Sequence, residues 1–204
     1  MSLVDPSLPL PYTAYLLAAG RSRRFGSNKA FARWQGTSFL NYQREVLQSH
    51  FRQVKVVAPA SDTYRSLGVP HALVDRFSDQ GPLAGLDTAL QDARMSHRAQ
   101  VLDRHWLFLA SCDTFGVQTE DILTLAQALP EATGQYQAVL WQQKHRLEPL
   151  WGFYAVTLAS VVYERLCDGC LPMHKLLADI RVKSYERCSP WIQVNAPTDF
   201  PEKA

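Results

Sequence analysis

Tyr12-Thr13-Ala14-Tyr15-Leu16-Leu17-Ala18 is a short, nearly unbroken apolar run that stops where glycine and charge begin, at Ala19-Gly20-Arg21. A run of this kind reads as a buried strand, and its abrupt end puts a loop at the strand's carboxyl terminus. Residues 37–50 then carry Phe39, Leu40, Tyr42, Val46 and Leu47 at helical spacing, with Thr37 or Ser38 available as cap. The chain therefore opens as strand, loop, helix.

The alternation continues. Residues 54–58 and 72–74 read as strands, separated by a polar helical segment at 62–67. After Gln80-Gly81-Pro82, residues 83–95 place Leu83, Leu86, Leu90 and Ala93 on one helical face. Trp106-Leu107-Phe108-Leu109-Ala110 has no polar residue at all, the pattern of a central parallel strand covered on both sides. Helices are expected at 122–129, 158–166 and 173–179, and strands at 137–141 and 150–156. Strands alternating with helices predict an α/β fold, a three-layer αβα arrangement around a Rossmann-like, mostly parallel sheet. Ligands bind such sheets beyond the carboxyl ends of the strands. That rule selects the loop after Leu17, the turn after Val74, and Asp113.

At 204 residues the expectation is one domain over 1–204, with loosely held, proline-containing ends at about 1–11 and 200–204. A hydrophobic fraction of 47% excludes disorder, and a net charge of +2 is too small for a nucleic-acid-coating surface. Basic residues instead bunch at Arg21, Arg23, Arg24 and Lys29, which points to one anionic ligand. The stretch MSLVDPSLPLPYT has neither a basic start nor an apolar run, so a cytoplasmic location is expected, and no apolar run suggests a membrane span. Cys167 and Cys170 have CxxC spacing but no second ligand pair, and read as incidental thiols. His71, His97, His105, His145 and His174 are scattered without ligand spacing and read as surface or packing residues.

The segment Leu17-Ala18-Ala19-Gly20-Arg21-Ser22-Arg23-Arg24-Phe25-Gly26-Ser27-Asn28-Lys29 offers small residues where backbone can approach phosphates, then cations to neutralise them. It is neither a Walker A loop nor a GxGxxG dinucleotide loop. Asp113, ending an apolar strand, is a carboxylate placed where a hard cation such as Mg2+ meets triphosphate oxygens. As a plain helix cap it is outcompeted by Thr114 and Thr119. Asp75 takes the analogous place after the third strand, ahead of Gly81-Pro82-Leu83-Ala84-Gly85, a turn that leaves helix amides free to face a ligand. Cys112 reads as structural.

From Tyr15 to Phe200 these segments resemble the molybdenum cofactor guanylyltransferases, within the sugar-nucleotide-type nucleotidyltransferases. The family's Leu-Ala-Gly-Gly-x-Ser-x-Arg-Met-Gly-x-x-Lys signature is met by residues 17–29, with departures at Ala19 and Phe25. Its Gly-Pro-Leu-Ala-Gly turn matches residues 81–85, its Cys-Asp-Thr-Pro motif resembles Cys112-Asp113-Thr114-Phe115, and its closing Asn-x-Asn-Thr-Pro-x-Asp becomes Gln193-Val194-Asn195-Ala196-Pro197-Thr198-Asp199. The resemblance implies a nucleotide-diphospho-sugar transferase fold. It also implies that Leu17, Ala18, Ala19 and Gly20 face base and sugar, Lys29 the phosphates, Asp75 and Gly85 the nucleoside, and Asp113 the magnesium, with Asn195 completing the metal or cofactor site. Lys29 and Arg24 would balance the departing pyrophosphate.

The implied substrates are GTP, or CTP, and molybdopterin, with transient contact to cofactor-delivery proteins and neither nucleic acid nor membrane. Ala19 is the cytidylyl branch's residue, whereas the Gly-Pro-Leu-Ala-Gly turn is that of the guanylyl branch. The family's His-Pro is Glu148-Pro149 here, and Arg146, Glu148 and Lys175 are the acceptor-side candidates. Nucleotidyl transfer to a sugar or alcohol phosphate, and a non-catalytic nucleotide-binding protein, are the rival readings.

Overall fold

The computed structural model describes residues 9–18, 28–96, 105–187, 191–196 and 199. A seven-stranded sheet runs, from one edge to the other, through Val182–Glu186, Ala138–Gln143, Arg146–Ala155, Trp106–Ser111, Leu10–Leu17, Phe51–Ala58 and Leu73–Val74. Its strands are β1 (Leu10–Leu17), β4 (Phe51–Ala58), β5 (Leu73–Val74), β6 (Trp106–Ser111), β8 (Ala138–Gln143), β9 (Arg146–Ala155) and β10 (Val182–Glu186). Two small ribbons add β2 (Arg33–Trp34) with β3 (Thr37–Ser38), and β7 (Thr114–Phe115) with β11 (Ile192–Gln193). The helices are α1 (Phe39–Gln48), α2 (Pro82–Ser96), α3 (Thr119–Ala132), α4 (Ala159–Cys167) and α5 (Met173–Asp179).

The period-2 alternation of strand side chains produces the three layers. Ala14, Leu16, Phe108 and Ala110 face one core with Leu40, Leu47, Ile122 and Leu125 from α1 and α3. Tyr15, Leu17, Leu107 and Leu109 face the other with Leu83, Leu86, Val162 and Leu176 from α2, α4 and α5. Each fully buried Leu, Ile, Val or Phe among them contributes ~1.5–3 kcal/mol of hydrophobic stabilisation. Leu83, Leu86, Leu90 and Ala93 are buried as their spacing requires.

β1, β4, β5 and β6 are mutually parallel, and β10 is parallel to β8. The exception is β9, antiparallel to both β6 and β8. The expected parallel strand at 106–110 is thus parallel on one side only. The cause is a two-residue reversal after Gln143: Lys144 and His145 both take positive φ, 47° and 63°, the geometry that turns one strand tightly back on the last.

Three other expectations are corrected. Leu10 and Pro11, placed in the loose end, belong to β1: Leu10 is buried and its N–H donates to the His50 carbonyl at 2.7 Å. The helix expected at 62–67 is a set of turns with a 3-10 turn at Arg65–Leu67, ended by Gly68 at φ +77°. Neither Thr114 nor Thr119 caps α3. Gln118 does, in a capping box with Asp121, while Thr114 lies buried in β7 with its hydroxyl 2.9 Å from that of Ser111. Ser38 caps α1, accepting the Asn41 N–H at 3.2 Å. Among the described residues no helix is long and apolar enough to cross a membrane.

Candidate active site

β1, β5 and β6 end together at one edge of the sheet, and a cavity of about 160 Å³ opens there. Leu17, Lys29, Asp75, Asp79, Gly81 and Gly85 line it, together with the Ser111-Cys112-Asp113 turn and Leu150. Five of the expected site residues, Leu17, Lys29, Asp75, Gly85 and Asp113, therefore meet in one place.

Asp113 is held by its backbone. The neighbouring Cys112 N–H donates to the Leu17 carbonyl at 3.3 Å, and the Asp113 carbonyl accepts the Val194 N–H at 2.9 Å. Buried Gln43, on α1, donates to the next carbonyl, that of Thr114. The carboxylate is left to the cavity, where it forms an ion pair with the Lys29 ammonium. Lys29 opens a short 3-10 turn capped by Asn28, whose Oδ1 accepts the Ala30 N–H at 3.0 Å. Its Nζ also stands 3.5 Å from Asn195 Oδ1. A carboxylate and an amide oxygen so converge on a cation. This all-oxygen donor set suits Mg2+, which takes one or two carboxylates and completes its shell with water and phosphate oxygens. No cluster of three or more His, Cys, Asp or Glu with metal-binding geometry occurs among the described residues.

Asp75 is buried, and that burial raises its pKa; the Phe77 N–H donated to Oδ1 at 3.2 Å opposes the shift, while Asp87 and Asp79 add to it. The Asp75 loop is pinned to α2: Arg76 donates its N–H to Thr88 Oγ1 at 3.1 Å and its guanidinium to fully buried Asp87 at 3.0 Å. Gly81, at φ +74°, turns the chain into Pro82, the first residue of α2.

Gly85 is there for close approach. A β-carbon at this position would stand 2.8 Å from Leu17 Cδ2, and the flexible Leu17 end would have to yield. Gly85→Ala is expected to keep its thermal midpoint, since the helix-propensity gain of ~1 kcal/mol offsets the contact. The displaced Leu17 reshapes this wall of the cavity and, if the cavity takes a nucleotide as proposed below, raises KM for it about tenfold, the scale of one methylene in a binding pocket. Steady-state kinetics showing an unchanged KM would contradict this placement.

Ala18 does not line the cavity. It is buried in the α1-side core, its N–H donates to the Val57 carbonyl at 3.0 Å, and its carbonyl accepts the Tyr64 hydroxyl. Ala19, Gly20 and Arg24 lie outside the described residues.

Sequence reading missed Tyr64. Its buried hydroxyl donates to Ala18 and accepts from Asn28 Nδ2 at 3.0 Å, so one phenol ties together the residues on either side of positions 19–27. Nothing local marks it, because the contacts span 46 and 36 residues. Leu150 was also missed as a site residue. Leu147 pairs with Gln142 and Gly152 with Leu140, so residues 148–151 bulge opposite Trp141 alone and bring Leu150 to the cavity. Tyr154 OH holds this bulge through the Pro149 carbonyl at 2.7 Å, and burial raises the pKa of Glu148 within it.

Beyond the bulge a second cavity, about 550 Å³, is lined by His145, Arg146, Leu147, Pro149, His174 and α5. Two of the histidines expected to be scattered share it, and exposed Lys175 does not line it. Cys112 is buried, its thiol pushed up to about 12 by that burial and then by Asp113, the environment of a structural thiol. Cys167 and Cys170 are free thiols.

The strand ends thus present a lysine–carboxylate pair beside an apolar wall, at the end of the sheet where α/β folds bind ligands. Residues 14–182 match the MobA-like NTP transferase domain, and the chain belongs to that family. A protein of Bacillus licheniformis named "Probable molybdenum cofactor guanylyltransferase" is 32% identical over 197 residues, covering 92% of this chain and 93% of its own. A protein of the same name from Bacillus cytotoxicus is 26% identical over 201 residues, with 92% and 93% covered. The crystal structure of molybdopterin-guanine dinucleotide biosynthesis protein A from Archaeoglobus fulgidus shares the fold, with TM-score 0.73, 18% identity, and 92% and 94% of the two chains covered.

Proposed function

We propose that the protein transfers GMP from GTP to the terminal phosphate of molybdopterin and releases pyrophosphate, with magnesium held at Asp113 and Asn195. The observation that carries this reading is the convergence of Asp113, Lys29 and Asn195 at the mouth of a cavity walled by Leu17, Asp75 and Gly85. The names of the relatives support the acceptor and the base.

The attacking phosphate oxygen is already anionic, so no protein base is required. Its bond to the α-phosphorus forms as the bond to pyrophosphate breaks. Lys29, and Arg24 from the basic segment, neutralise the charge that accumulates on the leaving group. Asp75 accepts hydrogen bonds from the nucleoside, and Leu17 with Gly85 packs against it. Magnesium held by Asp113 and Asn195 would neutralise charge on the triphosphate. Arg146 and Glu148 face the acceptor, and the reaction runs in the cytoplasm with cofactor-delivery proteins as transient partners. Cytidylyl transfer to the same cofactor is the second reading, favoured by Ala19.

The test supplies purified protein with molybdopterin, magnesium and either GTP or CTP, and reads pyrophosphate release and the mass of the dinucleotide product. The guanine dinucleotide is the expected product. Preference for CTP moves the assignment to the second reading, and pyrophosphate from neither nucleotide overturns both.

A further inference from the structure

Asn195 reaches the site on a segment with little local support. β11 pairs with β7 through two residue pairs, Ile192↔Phe115 and Gln193↔Thr114, after which Val194 donates to the Asp113 carbonyl and packs against Phe39 and Phe115. A two-stranded ribbon this short does not hold itself in water.

The segment is anchored instead on α3. Asp121, in the first turn, is buried; Oδ1 accepts Arg187 Nη1, while Oδ2 accepts Trp191 Nε1 at 3.3 Å and the Gln118 N–H at 2.8 Å. The Arg187 guanidinium lies over the Trp191 ring, 4.9 Å from its centroid, and the same ring packs 6.1 Å from Trp151. Arg187 leaves β10 with its N–H on the Gln142 carbonyl at 2.8 Å, and Trp191 enters β11. One carboxylate so grips the chain at both points. Buried, charge-assisted bonds of this kind fix a side chain's direction as well as its energy. At the far end Asp199 Oδ2 accepts the N–H groups of Asn195 and Ala196, each at 2.8 Å.

We propose that Asp121 is a positioning residue for the reaction: through Arg187 and Trp191 it sets Asn195 beside Lys29 and Asp113, and so governs affinity for the nucleotide-bound divalent cation without touching nucleotide or metal. The inference rests on Asn195 as an oxygen donor in the proposed site.

Trp191→Phe keeps the ring and removes the N–H, Arg187→Gln removes the charge, and Asn195→Ala removes the delivered oxygen. With GTP present, free Mn2+ is measured by electron paramagnetic resonance for each variant and for Arg187→Gln combined with Asn195→Ala. Each single change is expected to weaken Mn2+ binding about tenfold, the lower end for groups that orient a metal ligand. Because Arg187 acts through Asn195, the double variant should be no weaker than the worse single one. In the nucleotide-free protein, Trp191→Phe should also speed hydrogen exchange at the Val194 amide, a readout independent of metal; should Arg187→Gln not fold, Trp191→Phe with Asn195→Ala replaces it in the cycle. Effects that multiply, an unchanged Mn2+ affinity in Asn195→Ala, or unaltered Val194 exchange would each overturn the proposal. If the unaltered protein transfers GMP normally in that case, only the positioning role has failed; if it transfers nothing, the functional reading has.

Discussion

Asp113→Asn is expected to abolish turnover while leaving the fold in place. The amide matches the carboxylate in size, and the contacts that hold this turn are made by backbone: Cys112 N–H on Leu17 and Val194 N–H on the Asp113 carbonyl. What disappears is the negative charge that pairs with Lys29 at the cavity mouth and, in the proposed reaction, binds a divalent cation. Electrostatic groups aimed at developing charge contribute about a hundred- to a thousandfold each, and a lost metal ligand belongs at the upper end or beyond it. Pyrophosphate release should fall at least about a thousandfold with the thermal midpoint shifted by no more than a few degrees. Magnesium-dependent turnover within tenfold of the unaltered protein would remove Asp113 from the mechanism.

Lys29→Met is expected to have the next largest effect, and on two quantities. With no ammonium beside the leaving pyrophosphate, kcat/KM for GTP should fall about a hundredfold or more. The substitution also leaves Asp113 without this ion pair in a position where its side chain is only 19% exposed, so stability should drop by ~1–3 kcal/mol. Lys29→Met combined with Asp113→Asn should regain part of that stability and none of the activity, because the two changes are coupled in folding by the same contact. Denaturant unfolding and steady-state kinetics on the four proteins check this. A double variant no more stable than Lys29→Met would show that the ion pair contributes nothing to the fold.

Much of the architecture was legible because strands buried on both faces must be apolar along their whole length. The Trp106-to-Ala110 run and the stretch ending at Leu17 are of this kind, and their ends border the cavity. What local pattern could not supply was strand direction at β9. Tight reversals are signalled by Gly or Asn, and here Lys144 and His145 adopt the left-handed conformation instead. Helix starts misled for a similar reason: Thr119 has the better capping chemistry, yet α3 is capped by Gln118 because Asp121 supplies the reciprocal bond. Within the site, Leu17, Lys29, Asp75, Gly85 and Asp113 followed from strand ends and from resemblance, and they share one cavity. Ala18, read from the same motif, has both backbone groups committed behind the cavity wall. Tyr64 and Asp121 were invisible because each acts on partners brought near only by folding, Asp121 across 66 and 70 residues.

In the proposed reaction this cavity takes a guanine nucleoside triphosphate together with magnesium. The most direct measurement is the thermal midpoint of the purified protein with each of the four ribonucleoside triphosphates, with and without magnesium, since a ligand that binds only the native state raises apparent stability by about 2.7 kcal/mol at a hundred times its dissociation constant. A magnesium-dependent rise with GTP, larger than the response to ATP, CTP and UTP, is expected. No rise with any of the four would contradict it.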